Sequence, residues 1–142
     1  MRIEPARRSD LAGIRWLLEY DGLPSSDLDD SAVESFLVCR DEKGVVAAVG
    51  LELVGRVALL RSLVVDREMR GQGLGGKLVA AAEALASRSE VESIYLLTTT
   101  AEEFFRTRGY RIVARAEAPA EIQRTTQFSA LCPSTAVLMV KP

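Results

Sequence analysis

The chain has 142 residues, which suffices for one hydrophobic core of ordinary size and is too short for two. Its 18 Lys+Arg and 20 Asp+Glu residues give a formal net charge of −2, so the chain lacks the basic field that a general nucleic-acid binder needs. It contains no histidine, which excludes a Ser-His-Asp triad, a Cys-His pair and a histidine-ligated metal. We therefore predict one metal-free domain over residues 1–142. Any general acid or base in this domain must be a carboxylate, a tyrosine, a lysine, a cysteine, water or the substrate itself.

The cysteines and the apolar runs bear on the cellular compartment. Cys39 and Cys132 lie too far apart in the sequence for a CxxC pair or a metal-binding set, and such sparse thiols suit a reducing cytosol. Residues 1–5 contain no apolar core of a signal peptide. Apolar runs such as 45–49 are far shorter than the roughly 18 residues that a membrane span needs. The sequence thus predicts a soluble cytoplasmic protein that binds neither nucleic acid nor membrane.

Apolar periodicity divides the first half of the chain into a strand, a helix and three further strands. A short strand is predicted over 2–5, and a helix over 9–20, where leucines and an isoleucine recur at helical spacing. The acidic stretch 25–31 is either a loop or a short second helix. Three consecutive antiparallel strands joined by short turns follow at 36–39, 45–54 and 57–65. The third of these strands is apolar almost throughout, as expected of a central buried strand.

A glycine-rich turn with the sequence RGQGLGG, at 70–76, opens the second half of the chain. A helix with one apolar face is predicted from this turn to about Ser87, and another over 101–108 that is ended by Gly109. Further strands are predicted at 94–97, 110–114 and 136–140. The order of these elements indicates a mixed α/β domain, and its most distinctive part is the strand–turn–helix unit at 57–87.

This strand–turn–helix unit is suited to binding phosphate. The first N–H groups of a helix have no partners within the helix and lie at the positive end of its dipole. Glycines let the main chain approach an anion closely, and they tolerate positive φ angles. These properties predict a phosphate or a pyrophosphate at 70–76, without distinguishing between the two.

Two other glycine motifs overlap on the same residues. The spacing GxGxxG at 71–76 fits a dinucleotide-binding fold, but that fold requires an acid at the end of the next strand, where 98–100 are all threonine. Residues 71–77 fit most of the P-loop pattern GxxxxGK, but Leu78 replaces the Ser or Thr that would hold Mg²⁺. Both alternatives are disfavoured because these residues are missing.

A third pattern, (Arg/Gln)-x-x-Gly-x-(Gly/Ala), is matched at 70–75, shortly after a strand that ends in Leu-Val-Val at 63–65. Together with the segment FFRTRGY at 104–110, it resembles the GNAT superfamily of acyl-CoA-dependent N-acetyltransferases, and the similarity extends over nearly the whole chain. The resemblance implies a central, mostly antiparallel sheet that is splayed between two strands and flanked by helices. It also implies acetyl-CoA as cosubstrate, and it allows a homodimer formed through the C-terminal strands.

By this resemblance the strand before the turn would bind pantetheine like an added β-strand, through backbone groups of Leu63 and Val65. The N–H groups of the turn would surround the pyrophosphate, and Arg70 would add positive charge beside it. The residues assigned to the cosubstrate are Leu63, Val64, Val65, Arg70, Gly71, Gln72, Gly73, Leu74, Gly75 and Gly76. The alternative is a plain glycine-rich corner that binds nothing.

The side chains that usually transfer protons in this family are missing. Phe105 stands where the family often has a tyrosine acid, and Leu59 stands where it often has a glutamate base. Tyr110 is a packing position. Glu52 and Glu103 are candidate bases, although each is expected to be a solvated surface carboxylate. The catalytic residues therefore stay unassigned, and proton transfer runs through an unusual group or through water.

Arg61 and Thr98 are assigned to the acceptor. Alternation along the strand places Leu59, Arg61 and Leu63 on one face, and in the family that face points toward the acceptor amine. A guanidinium there would bind the carboxylate of an amino-acid-like acceptor through two hydrogen bonds. The alternative is a structural salt bridge between a buried Arg61 and a neighbouring acid. Thr98 stands where the family commonly has an asparagine.

Four segments resemble a GNAT subgroup that is found in arsenic-resistance gene clusters. Some members of this subgroup acetylate the amino group of arsenical or phosphinate amino acids. The segments are LLRSLVVD (59–66), YLLTTTAEEFF (95–105), EAP (117–119) and FSALCP (128–133). The thiol of Cys132 is a soft ligand of the kind arsenic prefers, but a small buried hydrophobe is the simpler interpretation of a lone cysteine.

The remaining aromatic and acidic residues have structural interpretations. Trp16 and the pair Phe104-Phe105 are expected to be core anchors, because aromatic rings bury large apolar areas. The acidic stretch 27–30 is expected to form a solvated loop at the edge of the acceptor pocket.

The sequence therefore predicts an acyltransferase in which the amine of a small, amino-acid-like acceptor attacks bound acetyl-CoA directly in a ternary complex. One alternative keeps this chemistry and changes the acceptor to a protein N-terminus or a lysine. A second alternative is a non-catalytic domain that binds CoA as a sensor, and the missing tyrosine favours it.

Overall fold

The computed structural model of the protein describes residues 2–131 and 135–142. The strands are β1 (Ile3–Pro5), β2 (Phe36–Asp41), β3 (Gly44–Val54), β4 (Val57–Val65), β5 (Ser93–Thr98), β6 (Arg111–Val113) and β7 (Val137–Lys141). The α-helices are α1 (Leu11–Tyr20), α2 (Leu74–Arg88), α3 (Glu102–Arg106) and α4 (Ala120–Gln123). No helix in the described part of the chain is both long enough and apolar enough to cross a membrane.

The strands form a seven-stranded sheet in the order β1-β2-β3-β4-β5-β7-β6. The pairs β1–β2, β2–β3, β5–β7 and β6–β7 are antiparallel, and β4–β5 is parallel. This arrangement confirms the predicted mixed α/β class and the mostly antiparallel sheet. β7, the last strand in the sequence, lies between β5 and β6, so the order of elements along the chain does not reveal their order in the sheet.

The described residues divide into two compact units, and the first consists of the residues up to Leu51 together with Ser62–Leu85. Here α1 presents one apolar face to the core, because its apolar residues recur three and four positions apart. Val38 of β2 is paired with Ala48 of β3, which places both side chains on the same face of the sheet. The buried core residues are Ile14, Leu17, Leu18, Leu28, Val33, Phe36, Val38, Ala48 and Val64.

The second unit consists of Glu52–Arg61 and the residues from Ala86 onward. Its core contains Leu59, Ala118, Ile122 and Leu138, with Val54, Val57, Tyr95, Leu97, Val113 and Phe128 packed against it. After α3 the chain turns at Gly109, whose φ is +94°, and the rings of Phe105 and Tyr110 then meet edge to face with centroids 5.5 Å apart. Tyr110 is almost completely buried, which confirms its predicted packing role.

Trp16 does not anchor the core as predicted, because its side chain is 58% exposed. Its ring stacks on that of Tyr20, which is also exposed, with the centroids 5.1 Å apart. The core face of α1 is already filled by aliphatic residues, so positions 16 and 20 fall on the flank of the helix. Phe105, by contrast, is buried as predicted, and Phe104 is half-buried.

Several short segments have no signal in the apolar pattern. The stretch 25–31, which the sequence leaves open between a loop and a helix, consists of turns and bends, and a 3-10 turn at Ala32–Ser35 follows it. Between β6 and β7 lie a 3-10 turn (Arg115–Glu117), α4, and a π-helical turn (Gln127–Leu131). These elements are too short to show a helical period in the sequence.

Candidate active site

The parallel ladder between β4 and β5 is short. It joins Val57–Leu59 to Ser93–Tyr95, whereas β5 is paired with β7 over five residues up to Thr98. A parallel pair that is joined over only part of its length is what the predicted splay of the sheet requires.

β4 departs from regular strand geometry at Ser62, whose φ is +57°. Residues other than glycine rarely adopt this left-handed conformation, and a strand does not keep simple alternation across it. Burial changes at the same point, because Arg61 is buried whereas Leu63 is half-buried. The predicted face shared by Leu59, Arg61 and Leu63 therefore cannot be extended past Arg61.

At two positions of the glycine-rich loop, the backbone conformation favours glycine. Gly71 has φ +84° and Gly73 has φ +80°, and a Cβ built on either residue would meet no atom within 4 Å. Steric crowding therefore does not require glycine here, but the left-handed φ does. The loop follows a 3-10 turn at Arg67–Met69, which is capped by the Asp66 carboxylate accepting from the N–H of Glu68 (2.9 Å).

The main-chain N–H groups of this loop are left without acceptors by the protein. Among the described residues, none of the N–H groups of 71–76 donates a hydrogen bond, and the first that does so is that of Lys77, to the carbonyl of Gly73 (3.1 Å). The first N–H groups of α2 are included, as expected at a helix start. The loop therefore presents a row of donors to an anion.

Arg70 is bound at both edges of its guanidinium. Its Nε donates to the carbonyl of Val65 (3.0 Å), and its terminal nitrogen donates to the Asp21 carboxylate (2.5 Å). The same carboxylate lies 3.6 Å from Nε of Arg67. Arg70 thus ties the start of the loop to the end of β4 and to the residue that follows α1.

Arg61 forms the ion pair that the sequence left open as an alternative. Its side chain is 3% exposed, and its guanidinium lies 3.8 Å from the Glu52 carboxylate. A buried guanidinium needs such a partner because desolvating it alone is very costly. The expectation that Glu52 is a solvated surface carboxylate is wrong, since its side chain is only 31% exposed. Glu103 does match that expectation, since it is 75% exposed and paired with Arg106.

The positions expected to hold proton-transfer groups are apolar and buried. Leu59 is 1% exposed and Phe105 is 4% exposed, so neither place offers an acid or a base. Thr98 uses its hydroxyl to accept from the N–H of Ala101 (3.0 Å), just before α3 begins. The same hydroxyl retains its own proton and can still donate it.

A groove that the sequence does not reveal lies in the second unit. It has a volume of about 460 Å³ and is lined by Glu52, Val54, Gly55, Glu121, Arg124, Thr125 and Thr126. Four of these residues belong to α4 and the segment after it, where no periodic pattern predicts a helix. No sequence signal therefore identifies Arg124 or Glu121 as residues that line a groove.

The two thiols differ in what the structure says of them. Cys39 is a free, fully buried thiol on β2, and burial raises its pKa despite the positive charge of Lys77 nearby. Cys132 and its suggested soft-ligand role lie outside the described residues. Within the described part of the chain, no three Cys, Asp or Glu side chains are grouped so that they could hold a metal ion.

Comparison with known proteins gives one family match and one curated relative. The sequence-family model of the acetyltransferase (GNAT) domain matches residues 32–112. An uncharacterised N-acetyltransferase of Chlorobaculum tepidum is 36% identical over 69 residues. That alignment spans 49% of this chain and 44% of the relative, so less than half of the relative's length is matched.

Solved structures share the fold at low sequence identity. Rv2747 of Mycobacterium tuberculosis, determined in complex with CoA, has a TM-score of 0.84 at 22% identity, and the match covers 99% of this chain and 98% of that chain. The N-acetylglutamate synthase of Neisseria gonorrhoeae, in complex with coenzyme A and N-acetyl-glutamate, has a TM-score of 0.84 at 18% identity. The latter match covers 99% of this chain and 34% of that chain.

Proposed function

The chain belongs to the GNAT acetyltransferase domain family, and from this premise we propose that it transfers an acetyl group from acetyl-CoA to the amine of a small, amino-acid-like acceptor. The observation that carries the proposal is the row of main-chain N–H groups at 71–76, which have no acceptors among the described residues. An anion with several oxygens, such as the diphosphate of CoA, would satisfy them. We propose a single acetyltransferase domain over residues 1–142.

The proposed cosubstrate site joins the end of β4 to the glycine-rich loop. Pantetheine would contact the backbone of Leu63, Val64 and Val65. The side chain of Val64 is not available for this contact, because it is part of the core. The carbonyl of Val65 already accepts from Arg70, and its second lone pair remains for the ligand. The diphosphate would lie on the loop residues Arg70, Gly71, Gln72, Gly73, Leu74, Gly75 and Gly76.

The proposed reaction is a direct attack within a ternary complex. The amine nitrogen bonds to the acetyl carbonyl carbon, the C–S bond breaks, CoA leaves as a thiolate, and the proton lost by the amine goes to the thiolate or to water. Because Leu59 and Phe105 supply neither base nor acid, the rate gain would come from positioning and from polarising the carbonyl. General acid–base help typically adds about 10²–10⁴-fold, so its absence slows such a reaction without abolishing it.

The acceptor class rests on the structural relatives and on the sequence resemblance. The N-acetylglutamate synthase structure contains N-acetyl-glutamate, an acetylated amino acid, which supports an acceptor of amino-acid size. Arg61 and Thr98 are the proposed acceptor-side residues, and Arg61 would act through the carboxylate that it holds, Glu52. The resemblance to the subgroup of arsenic-resistance clusters supports a modified amino acid as the acceptor.

A thiol-release assay tests the proposal. The protein is incubated with acetyl-CoA and, in turn, with free amino acids, polyamines and peptides with free N-termini or lysines, and free CoA is measured. We expect release that depends on an added amino acid and exceeds the rate with acetyl-CoA alone. Release with peptides only would instead indicate a protein acetyltransferase.

A second candidate function is a non-catalytic CoA sensor. It is favoured by the buried, apolar Leu59 and Phe105 at the usual base and acid positions. Binding of acetyl-CoA without thiol release in any arm of the assay would support the sensor and would overturn the transferase.

A further inference from the structure

Asp21, the residue after α1, binds two arginines that flank the start of the glycine-rich loop. One carboxylate oxygen accepts from a terminal nitrogen of Arg70 (2.5 Å), and the other lies 3.6 Å from Nε of Arg67. The backbone of Asp21 is itself fixed, because its N–H donates to the carbonyl of Leu17 (3.2 Å) in α1. The Asp21 side chain is only 20% exposed, and solvent and salt screen such a partly buried pair less than an exposed one. Asp21 therefore offers a firm anchor to the arginines.

Arg70 connects this anchor to the proposed cosubstrate site. It is the first residue of the loop, and its Nε donates to the carbonyl of Val65 at the end of β4 (3.0 Å). Its second terminal nitrogen forms no hydrogen bond or ion pair with the described residues. The guanidinium is thus held by Asp21 and Val65, and this nitrogen remains to donate to a phosphate oxygen.

The first half of the loop has few hydrogen bonds of its own. In the part of the chain that the structure describes, the N–H groups of Gly71, Gln72 and Gly73 donate to no protein atom. On the side of α2 the loop is fixed by the N–H of Lys77, which donates to the carbonyl of Gly73 (3.1 Å). On the side of β4 the corresponding restraint is the side chain of Arg70. A binding site that is ordered beforehand loses less entropy when its ligand binds.

Asp21 also lies beside the strand end that is proposed to contact pantetheine. A hollow of about 180 Å³ is lined by Asp21, Arg67, Val64 and Val65 together. All of these residues, and the loop itself, belong to the first compact unit. The anchor and the proposed cosubstrate site are therefore neighbours within one unit.

Two effects of Asp21 on an anionic ligand oppose each other. Its negative charge by itself would repel a diphosphate. Its hydrogen bond to Arg70 orients a donor and restrains the loop, and hydrogen bonds between ionised groups are stronger than those between neutral ones. The two arginines that contact Asp21 offset its charge, so we expect the orienting effect to be the larger one.

We propose that Asp21 is a positioning residue of the cosubstrate site, which increases the affinity for the diphosphate of CoA by fixing Arg70 and, through it, the start of the loop. The inference rests on the proposed function, because it takes the diphosphate to lie at 71–76. It adds a residue outside the loop on which cosubstrate binding depends.

Calorimetric titration of the full chain tests this role with two ligands. One is CoA, and the other is 3′-phospho-ADP, the half of CoA that contains the diphosphate and lacks pantetheine. Asp21→Ala should raise the Kd of both ligands about three- to tenfold, and Asp21→Glu should recover part of the loss. Glu92→Ala is the matched control, since it also removes an arginine-paired carboxylate (3.3 Å from Arg56) but lies in the other compact unit. It should bind both ligands as the wild type does.

A double-mutant cycle shows whether Asp21 acts through Arg70. In a protein that already carries Arg70→Gln, the change Asp21→Ala should alter the Kd of CoA by less than about twofold, because the residue that it positions is gone. In a protein that carries Arg67→Gln, the change should keep its full effect. Melting curves check that each variant is folded, and Asp21→Asn takes the place of Asp21→Ala if the alanine variant is not.

The outcomes separate this inference from the proposed function. An unchanged or lowered Kd in Asp21→Ala, an equal loss with and without Arg70, or a loss for CoA that 3′-phospho-ADP does not share would overturn the positioning role and leave the transferase intact. Binding of CoA without binding of 3′-phospho-ADP would overturn it as well. A wild-type protein that binds neither ligand would overturn both the inference and the proposed function.

Discussion

Asp10 shows how one buried carboxylate links the fold to pH. It is 7% exposed, accepts from the N–H of Arg7 (2.7 Å) and from Nε of Arg40 (2.9 Å), and the hydrogen bond from Arg40 is the main reason that its pKa is lowered below 3.8. Burial acts in the opposite direction and is outweighed. The same pairing raises the pKa of Arg40.

A lowered pKa in the folded state fixes the sign of the pH effect. Asp10 stabilises the fold at pH values above its unfolded pKa of about 4, and this stabilisation is lost as the pH falls through the lower folded value. Asp10→Asn should therefore cost about 1–3 kcal/mol at pH 7 and much less near pH 3. Urea unfolding at the two pH values measures this, and an equal cost at both would contradict the role assigned to the charge.

The candidate site combines residues that the sequence identifies and residues that it cannot identify. The loop at 70–76 is predictable because its chemistry is local, arising from glycines at the start of a helix. The ion pair of Arg61 is predictable only as one of two alternatives, because its partner Glu52 lies on another strand. Arg124 escapes prediction because the short helix before it has no periodic signal.

At the scale of elements, α1 has a buried aliphatic face and an exposed aromatic flank. Trp16→Ala should cost at most about 1 kcal/mol, because it removes only a half-exposed stack with Tyr20. Tyr110→Ala should cost about 3–5 kcal/mol, because it empties a fully buried site beside Phe105. Urea unfolding of both variants makes the comparison, and a Trp16→Ala cost as large as that of Tyr110→Ala would show that Trp16 is buried in solution.

The loop before α2 is the element on which we propose that cosubstrate binding depends. Gly73→Glu introduces a side chain at φ +80° and places a negative charge among the proposed diphosphate donors, so calorimetry should show at least a hundredfold loss of acetyl-CoA affinity. Gly44→Glu is the control, since Gly44 also has positive φ and open space around its Cβ but lies in the β2–β3 turn. Similar losses in both variants would attribute the effect to general strain.

The element pattern also shows where prediction from sequence ends. Long strands and helices such as β3, β4 and α2 are predictable to within a few residues, because their apolar periods extend over many positions. The left-handed conformation of Ser62 is not predictable, because serine rarely adopts a positive φ and the surrounding structure must impose it. The change in backbone conformation and burial along β4 after Arg61 can therefore be seen only in the structure.

At the scale of the whole molecule, the lack of histidine excludes a Ser-His-Asp triad, a Cys-His pair and a histidine-ligated metal. The position of β7 between β5 and β6 cannot be predicted from the sequence, because strand order in a sheet depends on contacts between residues far apart in the chain. The family match identifies a GNAT acetyltransferase domain, and the acetyl transfer and the acceptor that we propose for it have to be argued from the site.

The central claim is that the main-chain N–H groups at 71–76 hold the diphosphate of CoA. Titration of the ¹⁵N-labelled protein with CoA, followed by amide chemical shifts, tests it most directly. We predict that these six amides shift most strongly and move downfield, as N–H groups do when they begin to donate to phosphate oxygens. CoA binding that leaves these amides unmoved, or the absence of any shift at saturating CoA, would contradict the claim.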